Sequence, residues 1–76
     1  MKIEILGSGC ANCRRLEENA KKAVEKTGKK AEIVKVTDFA RIVSYGVMRT
    51  PALVIDGKIK SEGRIPDVDE IAKMLG

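Results

Sequence analysis

The chain of 76 residues contains two cysteines, Cys10 and Cys13, and both fall in the stretch Gly7 to Cys13, GSGCANC. Thiols three positions apart on a helix have Cβ atoms about 5 to 6 Å apart, near the separation that a disulfide spans. A bridge between them is feasible with modest local adjustment. It would close a loop of only about four residues, and because the chain-entropy effect of a disulfide grows with loop length, it would be a weak staple. A bond that forms readily and rigidifies little suits reversible oxidation.

The elements around the pair decide which thiol reacts. Lys2 to Leu6, KIEIL, alternates and carries enough β-branched residues for a strand, and Gly7-Ser8-Gly9 permits a tight turn. Cys13, Leu16, Ala20, Ala23 and Val24 then recur at three- and four-residue steps, which predicts a helix from about Cys10 to Lys26 with Gly28 as its C′ residue. Cys10 falls in the first turn of that helix, where unpaired backbone N–H groups and the positive end of the dipole favour a thiolate. Arg14 and Arg15 add positive charge close by, although each also reads as an ordinary surface arginine. Cys13 points to the core side. The expected chemistry is attack by Cys10 on a disulfide of a partner, followed by resolution by Cys13, which leaves the partner reduced.

Further along, Ala31 to Val36 reads as a second strand, and Thr37 or Asp38 can cap a short helix carrying Phe39, Ile42 and Val43 that ends at Gly46. Ala52 to Ile55 and Lys58 to about Ser61 are two strands joined by an Asp56-Gly57 hairpin turn. Asp67 with Glu70 forms a capping-box start for a last helix that buries Val68, Ile71, Ala72 and Leu75. The order β-α-β-α-β-β-α, with a right-handed crossover and then a hairpin, gives an α/β fold: a mixed four-stranded sheet with helices on both faces.

Composition removes several other classes. A chain of this size buries only about 60% of its unfolded surface and has room for one site. Its apolar runs fall short of the roughly 20 residues of a membrane span, and the N-terminus lacks a signal peptide's apolar region, so a cytoplasmic protein without membrane association is expected. The net charge of +4 is spread along the chain, and Glu17, Glu18 and Glu25 sit among the lysines of the first helix at helical spacing. With only Phe39 and Tyr45 as aromatics, nucleic-acid binding is not expected.

Other readings of the cysteine pair stay open. Two thiolates can hold Cu(I), as in heavy-metal carriers of similar length. Such carriers usually have Met where this chain has Ser8, and their β-α-β-β-α-β order ends on a strand. A zinc site normally needs four ligands, and the chain offers two Cys and no His. An interaction module using the basic face of the first helix, with an incidental cysteine pair, is the third.

The strand, GSGCANC and its helix resemble the thioredoxin superfamily, and Tyr45 to Lys58, YGVMRTPALVIDGK, is similar to that superfamily's segment entering the hairpin through a cis-proline. The length is similar to that of short prokaryotic thioredoxin-like or glutaredoxin-like proteins lacking an extra N-terminal strand and helix. The resemblance implies a minimal thioredoxin fold over residues 1–76 as a single domain, with Cys10 and Cys13 catalytic. It implies that Thr50, Pro51, Ala11 and Asn12 meet the substrate chain, with Pro51 as the cis-proline. Glu4, six residues before Cys10, stands where thioredoxins carry a buried acid, which makes it a candidate proton acceptor for Cys13; it also reads, with Lys2, as the less buried face of its strand. Tyr45 reads as a core or helix-end residue. No cofactor and no metal are implied, the expected state is a monomer, and the partners are disulfide-containing proteins and a separate reductase or small thiol. The Ala11-Asn12 dipeptide departs from the Gly-Pro of thioredoxins and the Pro-Tyr of glutaredoxins, and Gly9 replaces the usual Trp. Resemblance alone therefore leaves the potential and the electron donor unassigned.

Overall fold

The computed structural model describes residues 1–9 and 11–76. The expected helix start at Cys10 lies outside the described residues. The elements run β1 (Lys2–Leu6), α1 (Ala11–Thr27), β2 (Glu32–Val36), α2 (Phe39–Ser44), β3 (Ala52–Ile55), β4 (Lys58–Glu62) and α3 (Val68–Leu75). The sheet order is β2-β1-β3-β4. β1 runs parallel to β2 and antiparallel to β3, and β4 is antiparallel to β3, with an irregularity in register between Leu53 and Val54.

Local chemistry sets these boundaries. Asp38 caps α2 by accepting from the Ala40 backbone N–H at 3.3 Å, and Asp67 and Glu70 form a reciprocal capping box at the start of α3. The β3–β4 hairpin turns through Asp56 and Gly57, with φ of 49° and 83°. Two positive φ values in succession match the twist of the flanking strands, which is why Asp-Gly is favoured there. The same Asp56 fixes the hairpin to β1: its carboxylate accepts from the Lys2 N–H at 2.8 Å, and its own N–H donates to the Lys2 carbonyl at 2.8 Å.

The sheet is covered on both faces. On one, α1 and α3 pack Leu16, Ala20, Ala23, Ile71 and Leu75 against Ile3, Ile5, Leu53 and Ile55. The two helices are also joined by a hydrogen bond from Asn19 Nδ2 to the Pro66 carbonyl at 3.1 Å and by an exposed Lys26–Asp69 ion pair. On the other face, α2 and the loop after it place Ile42 and Val47 over Leu6, Val36, Ala52 and Val54. This double cover buries β1 from Ile3 through Leu6, so Glu4 is buried and Lys2 is not. The less-buried face anticipated for Lys2 and Glu4 together therefore applies to Lys2 alone.

Of the apolar residues Phe39, Ile42 and Val43 that the short helix carries, only Ile42 is buried, and Phe39 is 78% and Val43 54% exposed. The last helix buries Ile71 and Leu75, whereas Val68 and Ala72, expected with them in the core, are half-buried at its edge. No helix among the described residues is long and apolar enough to cross a membrane.

Candidate functional site

The site forms where β1 ends. Gly7 continues the strand line and donates its N–H to the Val36 carbonyl at 3.0 Å, and Gly9, at φ 86°, turns the chain toward α1. Ala11 and Asn12, at the start of α1, are exposed. Cys13 is the first buried residue of the α1 stripe and only 5% exposed. Cys10 lies outside the described residues, so the pair's mutual geometry does too.

Gly7 and Pro51 converge at the Cys13 thiol. A Cβ placed on Gly7 would overlap Cys13 Sγ, and would lie 3.4 Å from Cys13 Cβ and 3.9 Å from Pro51 Cα. Glycine at position 7 is thus required by space rather than by backbone angle. Pro51 is buried at the head of β3, and its peptide bond with Thr50 is cis. Its carbonyl accepts from the Gly63 N–H at 3.0 Å, while Glu62 accepts from the Met48 N–H at 3.1 Å, so the segment before β3 is tied to the end of β4. Thr50 is exposed beside it. The fold therefore brings the sequence-selected residues Cys13 and Pro51 together from positions far apart in the chain.

Glu4 sits differently. It is 5% exposed and pairs across the sheet with Val34 and Val54, which places it on the α2 face, whereas Cys13 packs from the α1 face. Its carboxylate accepts a hydrogen bond from the Tyr45 hydroxyl. Tyr45 is the C-cap of α2, as its helix-end reading expected, and its partner on β1 was invisible from sequence because 41 positions separate them. That hydrogen bond, with partial burial and the carboxylate charge behind it, raises the Tyr45 pKa above its ordinary value near 10, and Arg41 opposes the shift.

Two hollows lie at this end of the fold, and the smaller one reaches the thiol. A groove of about 410 Å³ runs between Ser8, Thr50 and the apolar side chains Phe39, Val43, Val47 and Met48. A smaller cavity of about 100 Å³ lies beside Cys13 on the β2 side, lined by Gly7, Arg14, Glu17, Lys35 and Thr37. Neither Met48 nor Glu17 stood out as a site residue in the sequence. The spacing of Glu17, one turn after Cys13, was the available signal.

A mixed four-stranded sheet in the order β2-β1-β3-β4, α1 and α3 on one face, α2 on the other, and a cis-proline opening β3 beside a helical cysteine define a minimal thioredoxin fold. Comparison with known proteins agrees: residues 1–76 match the thioredoxin-domain family. The chain is 44% identical over 75 residues to a thioredoxin of Methanothermobacter thermautotrophicus, covering 99% of this chain and 97% of that one. It is 49% identical over 73 residues to a thioredoxin of Methanocaldococcus jannaschii, covering 96% and 84%. The chain belongs to the thioredoxin family and is a thioredoxin-like redox protein.

Proposed function

We propose that the protein is a thiol:disulfide oxidoreductase that reduces or exchanges disulfides of partner proteins through a reversible Cys10–Cys13 disulfide. Cys10 is the nucleophile, Cys13 the resolving thiol, and Thr50 and Pro51, with Ala11 and Asn12 at the helix start, hold the substrate chain. The observation that carries this reading is the seating of Cys13 Sγ against Gly7 and beside Pro51, whose neighbour Thr50 is exposed and lines the apolar groove. A buried second thiol is reached by the first one rather than by bulk oxidant, as resolution of a mixed disulfide requires. Electrons come from a separate reductase or small thiol, and the residues 1–76 act as one domain without a bound cofactor. The element order β-α-β-α-β-β-α and the family match weigh against the copper-carrier alternative.

The test is a redox titration of the dithiol in dithiothreitol or glutathione buffers, with Cys10→Ser and Cys13→Ser as controls. The expected result is a two-electron transition between about −300 and −120 mV that both variants lose. A reduced protein that binds Cu(I) tightly and forms no reversible disulfide would overturn the proposal in favour of metal carriage.

A further inference from the structure

Resolution by Cys13 requires its thiol to lose a proton to a nearby acceptor. The carboxylate on β1, Glu4, is on the α2 face and accepts from Tyr45. On the α1 face, the cavity of about 100 Å³ beside Cys13 contains a second carboxylate, Glu17. Glu17 stands four residues after Cys13 on the same helix, so the two side chains are neighbours on one helix surface. Its side chain is only 14% exposed and bonds to Lys35 of β2 at 3.5 Å and to Lys21 of α1 at 3.5 Å. The Lys35 contact comes from outside the helix and holds the carboxylate over the gap between α1 and β2. The cavity is several times the roughly 10 to 15 Å³ that one water needs, and its polar lining supplies hydrogen-bond partners.

We propose that Glu17, positioned by Lys35, exchanges the proton of the Cys13 thiol through water in this cavity. The inference rests on the dithiol reading of Cys10 and Cys13. In the resolving step the Cys13 proton passes by way of water to the Glu17 carboxylate. The Cys13 thiolate then attacks Cys10 Sγ of the mixed disulfide, the Cys10–Cys13 bond forms, the Cys10–partner bond breaks, and the partner leaves with the electron pair as a thiolate that takes its proton from solvent. Two electrons pass from the dithiol to the partner, and in the reverse direction Glu17 returns the proton to Cys13. The charged groups facing the cavity are Arg14 and Glu17 from α1 and Lys35 from β2, whereas β1 contributes Ile5 and Gly7. The two cations offset the negative charge as it moves between carboxylate and thiolate.

The experiment uses the reduced full chain and dithiobis(nitrobenzoate). Cys10 releases one nitrothiobenzoate on attack, and Cys13 releases the second on resolution, so stopped-flow absorbance separates the steps. In Glu17→Gln the second release is expected to slow about a hundredfold near neutral pH and to lose its dependence on a carboxylate in its pH profile. Glu17→Asp restores much of the rate. Glu17→Ala, which keeps a strong helix former at the position and opens the cavity, slows likewise and is rescued by added formate, a response that lost packing would not give. If far-UV circular dichroism shows that Glu17→Gln fails to fold, Glu17→Ala with formate decides alone. A second release as fast in Glu17→Ala as in the wild type, or a slowed one that formate leaves unchanged, overturns the relay. A wild-type protein that never gives the second release overturns the dithiol reading instead.

Discussion

The two faces of the sheet are built to different standards. The α1–α3 face closes over side chains that are almost wholly inaccessible, with Leu16, Ala20, Ala23 and Ile71 at 0% exposure. The α2 face is covered by a helix of six residues and leaves Phe39, Val43 and Met48 in water around a groove, with a buried carboxylate and a phenol beneath. Apolar packing of the first kind holds a thiol in one place. The second kind is thin enough to receive another chain at its rim, and exposed apolar side chains gathered around a hollow are what a binding surface requires. Cys13 and Pro51 lie at one end of the sheet, and under the proposed function the well-packed face supplies the chemistry and the thin one the contact.

Substitutions can break this contrast in a definite order. The largest effect is expected from Leu16→Ala on the packed face, a loss of about 2 to 5 kcal/mol of unfolding free energy in urea titration, against a smaller loss for Ile42→Ala on the other face. A loss at Ile42 equal to that at Leu16 would mean that the faces do not differ. Next comes Gly7→Ala, which forces a methyl group onto Cys13 Sγ; overpacking of this kind costs about 1 to 3 kcal/mol, and insulin reduction should fall with it because the thiol is displaced.

Tyr45→Phe removes the hydroxyl that the buried Glu4 carboxylate accepts from, with an expected cost of about 1 to 3 kcal/mol. The sign of its pH dependence follows from the raised Tyr45 pKa. Folding favours the protonated phenol, so the contribution is complete below the ordinary value near pH 10 and is lost as pH rises through the folded value. Unfolding titrations from neutral to strongly alkaline pH should show that loss in the wild type and its absence in Tyr45→Phe. A wild-type curve that gains stability above pH 10 relative to the variant would sink the assignment.

Phe39→Ser and Met48→Ser sharpen the comparison from the other side. Stability should change by about 0.5 kcal/mol or less, as for surface positions, while KM for a protein disulfide rises about fivefold, equivalent to about 1 kcal/mol of contact. Unchanged kinetics would remove the groove from the substrate surface. The smallest effect belongs to the exposed Lys26–Asp69 pair. The Lys26 ammonium, by hydrogen bond and charge, holds the Asp69 carboxyl below its ordinary 3.8, so its contribution is present above about pH 4 and is lost as pH falls through the folded value. Any stability difference between wild type and Asp69→Asn should shrink on acidification and in high salt.

Much of the fold was legible because its signals are local. Caps at Asp38 and Asp67, the Asp56-Gly57 turn, and the α1 stripe of Cys13, Leu16, Ala20 and Ala23 all act within one turn or one hairpin. The apolar stripe overreached in α3, where Val68 and Ala72 are half-buried beside buried Ile71 and Leu75, and α2 leaves Phe39 and Val43 exposed, because spacing reports which residues share a helix face and not how much of that face the neighbouring elements cover. Within the candidate site, the cysteine pair and Thr50-Pro51 were legible as motifs. Met48 and Glu17 carry no motif: Met48 reaches the groove beside Thr50 through loop placement, and Glu17 reaches the thiol through the way α1 settles on β2.

The sequence by itself determined the order of the elements, their caps and turns, and the presence of two thiols at disulfide spacing, since each depends on residues within a few positions of one another. Only the tertiary structure decided that Gly7 must lack a side chain, that Glu4 is buried on the face away from Cys13 with Tyr45 as donor, and that Glu17 and Lys35 meet beside the thiol. These are contacts between segments brought together by burial of the sheet from both sides. Which polar group ends up beside which is fixed by packing and by the need to satisfy it there, not by any pattern along the chain.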